Sequence, residues 1–141
     1  MRVAIIGAGL TGLTAGRALH TAGLAPVIYD KGRGVGGRLS TRRAEGGLQF
    51  DHGAQYLPAK SDAFRTFLSE IEVAGAVGRW TLDDGSEKAV GAPGMTAIGK
   101  HLATGLDVRL GVEVPSIRRT NGGWAVAGGT FDRVICTAPA P

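Results

Sequence analysis

The stretch AIIGAGLTGLTAGRAL, Ala4 to Leu19, decides how this chain starts to fold. Val3 to Ile6 is a short apolar run stopped by glycine, which reads as a buried strand. Leu10 to Ala22 follows a helical pattern, with Gly23 at its C-terminal stop. Between them stand three glycines in the order GxGxxG. Gly7 permits the tight turn out of the strand, Gly9 lets the backbone approach a ligand, and Gly12 lets the helix lie close on the sheet. The start of such a helix presents free N–H groups and a partial positive charge, which favour phosphate. Thr11 adds a hydroxyl in the same turn. Gly7, Ala8, Gly9, Leu10, Thr11 and Gly12 therefore form one candidate pyrophosphate turn.

Working outward, Pro26 to Tyr29 is a second apolar run, so the chain opens as strand, helix, strand. A right-handed crossover makes the two strands parallel neighbours. Asp30 closes the second strand about 20 residues beyond the glycines, where an acceptor for a ribose hydroxyl belongs. The bland alternative is an ordinary tight turn followed by a solvated acid. An acid at this place disfavours a 2′-phosphate despite the adjacent Lys31 and Arg33, so NADP is disfavoured. NAD and FAD share the fingerprint up to this point. The next segment, KGRGVGGRLSTRR, places Gly36-Gly37-Arg38 close behind Asp30. Its glycines let the loop fold back, and Arg38 offers a planar fork to a phosphate. Alone, such a segment is more often a solvated loop; after Asp30 it favours a ligand role.

A chain of 141 residues is one ordinary domain with room for a real core. Apolar residues at 43% and charged residues at 20% describe a globular protein. The net charge of +4 invites a nucleic-acid reading, but aromatics are only 6% and no basic helix appears. A basic domain that holds a pyrophosphate accounts for the excess better. The 24 glycines have no fixed period, so they are turns and close backbone approaches. The glycine-broken start is neither a signal peptide nor a span of about 20 apolar residues. With Cys136 as the only cysteine there is no disulfide framework, which fits a reducing, cytoplasmic compartment.

Further along, residues 32–47 are rich in glycine and arginine and are expected to be loop. Ser61 is placed to cap a helix running to about Ala74, with Phe64, Phe67, Leu68 and Ile71 on one face. Arg79 to Leu82 and Glu87 to Val90 flank a DDGS turn, as in a hairpin. A helix from about Thr96 to Ala103 follows Pro93-Gly94. The runs DVRLGVEV, PSIRRT, WAVAG and DRVIC then read as short strands, two of them joined at Asn121-Gly122. A βαβ start and a late antiparallel meander define an α/β class with a Rossmann-like beginning.

The order AIIGAGLTGL, YDK, GVGGRLSTRR and FDHGAQY closely resembles the FAD-binding half of renalase-like flavoproteins, within the flavin amine oxidase superfamily. Most of that superfamily has Glu where Asp30 stands, whereas renalases commonly have this Asp-Lys pair. The likeness continues through GAPGMTAIGKHLA and GVEVPSI to VICTAPAP. It implies FAD as cofactor, with the Gly7–Gly12 turn on the pyrophosphate and Asp30, followed by Lys31, on the adenosine ribose. Gly37 and Arg38 would reach a phosphate or the flavin edge. Gly53, Ala54, Gln55 and Tyr56 would border the isoalloxazine, and the Val114 backbone would meet the adenine. Without the resemblance, Tyr56 reads as a half-buried aromatic and Val114 as a core strand residue. The implied reaction is hydride transfer from a reduced dinucleotide, a dihydronicotinamide isomer, to flavin, with oxygen reoxidising the flavin to give peroxide. Relative to that family the chain is expected to be a single domain, 1–141, forming the N-terminal part of a larger fold, with the substrate domain missing and turnover absent in isolation.

His20, His52 and His101 lack paired ligand spacing, so no metal site is expected. Cys136, in an apolar run, is expected to be a small buried hydrophobe. No general acid or base can be assigned. The alternatives are an amine- or porphyrinogen-oxidising relative, an NAD-binding dehydrogenase domain, and a non-catalytic nucleotide-binding remnant. The expected partner is a small-molecule substrate, a reduced nicotinamide dinucleotide or an amine, rather than a nucleic acid or a membrane.

Overall fold

A computed structural model describes residues 1–139, so the last two residues of VICTAPAP lie outside the described residues. The chain divides into two compact units, one formed by residues 1–37 and 102–141 and the other by residues 38–101.

In the first unit, β1 (Val3–Ile6), α1 (Leu10–Thr21) and β2 (Val27–Asp30) form the expected βαβ start. β7 (Asp107–Leu110) and β11 (Arg133–Cys136) complete a sheet of order β11-β1-β2-β7, parallel throughout. Register follows from alternation along the strands. Ile5 pairs with Ile28, and both are fully buried. On that face α1 lies close, because a Cβ on Gly16 would stand 2.7 Å from Ile28 Cδ1 and 3.1 Å from Leu106 Cδ1. The helix ends where Gly23, at φ +79°, turns the chain; its N–H bonds the His20 carbonyl and that of Leu24 the Leu19 carbonyl.

Ala4 and Tyr29 point the other way, into a core with Val126 and Phe131. Those two partners come from a meander of β8 (Arg118–Thr120), β9 (Gly123–Val126) and β10 (Gly129–Phe131). Tyr29 meets Phe131 edge-on at 6.1 Å. The unit is thus helix, parallel sheet and antiparallel meander in three layers.

The second unit holds two hairpins, β3 (Thr41–Arg43) with β4 (Gln49–Asp51) and β5 (Val77–Thr81) with β6 (Glu87–Gly91). Between them in sequence runs α2 (Asp62–Val73), whose first turn is capped by Ser61 Oγ accepting from Phe64 N at 3.3 Å. Leu68 and Ile71 are its buried residues. α3 (Thr96–Ala103) begins in this unit. Arg79 donates to Glu72 at 2.9 and 2.6 Å, and this contact holds the Glu72 carboxyl below its ordinary pKa.

Three expectations are corrected. Residues 32–47 are not all loop, since β3 forms inside them and a short helical turn occupies Glu45–Gly47. β3 has no apolar alternation to announce it; its pairing with β4 supplies the order. The GVEV of DVRLGVEV and the PSI of PSIRRT, expected as strand, lie outside any strand. Gly111, at φ +69°, ends β7, and the Val112 N–H bonds the Asp30 carbonyl at 2.9 Å as the chain crosses the end of β2. Cys136 is exposed rather than buried, because β11 is an edge strand of its sheet. β10 was not anticipated either, being only Gly-Thr-Phe after the turn at Ala127-Gly128.

Candidate functional site

The glycine turn is built as its spacing requires. Gly7 has φ +103°, a region side chains avoid, and its N–H donates to the Tyr29 carbonyl at 2.8 Å. A Cβ on Gly12 would run into the Gly7 carbonyl oxygen, so only glycine lets α1 start this close to the end of β1. Gly9 differs from both. Its φ of −80° is open to any residue, and the nearest atom to a Cβ there is Gly36 O at 4.0 Å. Neither strain nor packing asks for glycine at 9, and the free approach over its backbone is the property left. Gly9 is also the N-cap of α1, and no side chain caps it. The first turn of the helix has no acidic residue. Thr11 is exposed there, Leu10 half-buried and Ala8 fully buried. This donor set suits an anion.

Asp30 does more than end β2. One carboxylate oxygen accepts from Ala8 N and the other from Gly32 N, each at 2.6 Å. The acid therefore braces the glycine turn through Ala8. A carboxylate has about four acceptor positions, so two remain open. Lys31 beside it is exposed.

The second glycine segment folds back onto the first. Gly36 N donates to Ala8 O at 2.8 Å, and Gly9 and Gly36 form an isolated parallel bridge. Gly37 has φ +55°, and a Cβ there would press to 3.2 Å from the Gly9 Cα. Val114 is half-buried and packs against the Ala4–Tyr29–Val126–Phe131 core from outside any strand.

Sequence reasoning missed Thr137. Its hydroxyl lies 2.9 Å from Ile6 O and 3.3 Å from Gly7 O, and its N–H bonds Ile6 O at 2.9 Å. The same oxygen would stand 2.6 Å from a Cβ on Gly7. Thr137 follows β11, and only the parallel pairing of β11 with β1 brings it under the turn.

The remaining candidates lie in the second unit. The β3–β4 ladder extends beyond its strands, with His52 N donating to Ser40 O at 3.4 Å and Ala54 N to Arg38 O at 2.8 Å. Gly53 is required there, because a Cβ would overlap the Arg38 carbonyl oxygen. The structure thus brings Gly53 and Ala54 against the Arg38 backbone. The Arg38 side chain and Gln55 are exposed, and Tyr56 is 42% exposed with Lys88 Nζ 5.9 Å from its ring centre. His52 Nε2 is 3.2 Å from Ser40 Oγ. Among the described residues, no group of three or more His, Cys, Asp or Glu could hold a metal ion, and no helix is long and apolar enough to cross a membrane.

Comparison with known proteins agrees with this geometry. The NAD(P)-binding Rossmann-like domain family matches residues 5–71. An L-amino-acid oxidase of Siganus canaliculatus is 39% identical over 72 residues, covering 50% of this chain and 14% of that protein. The L-glutamate oxidase precursor of Streptomyces diastatochromogenes is 47% identical over 60 residues, covering 41% of this chain and 9% of its own length. A putrescine oxidase double mutant redesigned in cofactor binding superposes with a TM-score of 0.77 at 15% identity, over 99% of this chain and 58% of that one. The chain therefore spans a small part of the curated relatives it matches and somewhat over half of the solved one. Just under half of the chain thus matches an NAD(P)-binding Rossmann-like domain family, and the relatives it resembles in sequence are named as oxidases. The narrower renalase-like likeness is not distinguished by these relatives.

Proposed function

We propose that the chain is the FAD-binding portion of a renalase-like oxidoreductase, with residues 1–141 serving as one FAD/NAD(P)-binding-type domain in the cytoplasm. The observation that carries the cofactor reading is the return of the second glycine segment onto the first, through Gly36 N to Ala8 O at 2.8 Å. In this reading the Gly7–Gly12 turn and Thr11 hold the pyrophosphate. Asp30, followed by Lys31, takes the adenosine ribose, and Gly37 and Arg38 serve a phosphate or the flavin edge. Gly53 to Tyr56 border the flavin ring, and the Val114 backbone meets the adenine. FAD, when bound, supplies the hydride-accepting chemistry and its reoxidation by oxygen. The chain's own residues bind and orient it, and none is assigned a proton-transfer role. Through the renalase-like resemblance that the Asp30-Lys31 pair carries, a reduced dihydronicotinamide dinucleotide is the proposed hydride donor. The likeness to L-amino-acid and L-glutamate oxidases supports a second reading, in which an amine or amino acid is oxidised.

The test is to incubate the purified chain with FAD, desalt it and record its visible spectrum. Bound flavin is then mixed without oxygen with a dihydronicotinamide dinucleotide or with an amine. Faster bleaching by the dinucleotide supports the first reading, and faster bleaching by the amine the second. Retained flavin that neither bleaches upholds the cofactor assignment and agrees with the absence of turnover expected of this chain in isolation. Failure to retain flavin contradicts the cofactor assignment.

A further inference from the structure

The second unit contains a closed hydrogen-bond circuit to which no ligand role has been given. Thr41, on β3, donates its hydroxyl to Asp51 Oδ1 at 2.6 Å and accepts from Thr96 N at 3.1 Å. Thr96 accepts from Thr41 N at 2.7 Å and donates its own hydroxyl to Leu39 O at 3.2 Å. Asp51 Oδ1 also accepts from Met95 N at 3.0 Å. Each hydroxyl therefore gives one bond and takes one, and the single oxygen of Asp51 joins two segments. Leu39 and Met95, which flank the circuit, are 4% and 0% exposed. Gly94 passes so near that a Cβ would stand 2.8 Å from Thr41 Oγ1 and 3.4 Å from Asp51 Oδ1. The circuit fastens the start of α3 to the base of the β3–β4 ladder. A carboxylate is also favoured at that helix end by the partial positive charge of the helix N-terminus.

What the circuit holds is the stretch just before it. Leu39 is bonded directly, and Arg38 precedes Leu39. From Asp51 the other strand leads through His52 to Gly53 and Ala54, whose N–H binds the Arg38 carbonyl at 2.8 Å. Both backbones around Arg38 are thus anchored at Asp51, Thr41 and Thr96. An exposed arginine side chain has many rotamers, and its use as a fork depends on a fixed backbone origin.

We propose that Asp51, with Thr41 and Thr96, is a positioning residue that fixes the Arg38 backbone for its contact with the cofactor. The proposal rests on the FAD reading above. Its prediction is non-additivity. Asp51→Ala weakens FAD binding about tenfold, close to the effect of losing one charge-assisted bond. Asp51→Asn keeps the Oδ1 acceptor and restores affinity to within about threefold of the parent. In an Arg38→Ala background, Asp51→Ala adds little, because the residue through which it acts is already gone.

The experiment is calorimetric titration with FAD of the parent, Asp51→Ala, Asp51→Asn, Arg38→Ala and the Asp51/Arg38 double alanine variant, each checked for folding by circular dichroism. If Asp51→Ala does not fold, Thr41→Val, which removes the hydroxyl facing Asp51, takes its place. Full affinity in Asp51→Ala, or an undiminished tenfold loss on top of Arg38→Ala, overturns the positioning role while leaving the cofactor reading intact. A parent chain that does not bind FAD overturns both. A loss that disappears in the Arg38→Ala background supports the proposal.

Discussion

Replacing Asp30 with alanine separates two roles that this acid holds at once. In the structure its oxygens take the Ala8 and Gly32 amides at 2.6 Å each, before any ligand is considered. A hydrogen bond to a charged group contributes about 1.5–3 kcal/mol net. Two such bonds set a ceiling of roughly 3–6 kcal/mol on what the carboxylate contributes. The site is half-buried, so water can reach part of the vacated space and the expected loss is about 2–3 kcal/mol. Asp30→Asn keeps one acceptor but turns an NH₂ toward the other amide, and should lose about 1–2 kcal/mol. Denaturant unfolding followed by circular dichroism, without nucleotide, measures both. The expected order is parent, Asn, Ala in falling stability, with FAD affinity falling in the same order. Undiminished stability of the ligand-free Asp30→Ala variant, with affinity alone reduced, would show that the acid serves only the ribose and would refute the bracing role.

Gly12→Ala forces a methyl group against the Gly7 carbonyl, which is backbone and cannot rotate away, so a loss of about 1–3 kcal/mol and of nucleotide binding is expected. Gly34→Ala, with nothing within 4 Å, is the control and should stay within about 0.5 kcal/mol in the same denaturation assay. Arg38→Ala should weaken FAD binding by about one to two orders of magnitude, at 1.4 kcal/mol per tenfold, and Arg38→Lys should recover only part of it. Arg33→Ala, with the same charge nearby in sequence, should be nearly silent in calorimetry; equal losses at both positions would mark a mere field effect.

The first thirty residues were legible because each local signal there agrees with the global fold. The apolar run, the glycine spacing, the helix pattern and the acid after β2 all require the same βαβ unit. Ser61 and the DDGS turn were legible for the same reason, since capping and turn chemistry are local. What could not be read depends on partners distant in sequence. β3 exists because Asp51 and its strand lie opposite, and Thr137 matters because β11 joins β1 across the whole unit. Cys136 misled because an apolar strand at a sheet edge has the composition of a buried one. The run after β7 misled because GVEVPSI carries β-forming residues, while Gly111 at φ +69° and the bond from Val112 to Asp30 take it out of the sheet. For the candidate site, the glycine turn was readable as geometry. The bracing by Asp30 needed the positions of Ala8 and Gly32, which only the folded turn supplies.

The most direct test of FAD as the nucleotide for which this turn is built is a paired calorimetric titration of the purified chain with FAD and with NAD under identical salt. On the proposed reading the glycine turn and Asp30 would serve either ligand, whereas the returning Gly36–Gly37 segment and Arg38 would favour the flavin nucleotide. FAD is therefore expected to bind at least about tenfold more tightly, a difference of 1.4 kcal/mol. Tighter binding of NAD, or equal binding that Arg38→Ala leaves unchanged, would contradict it.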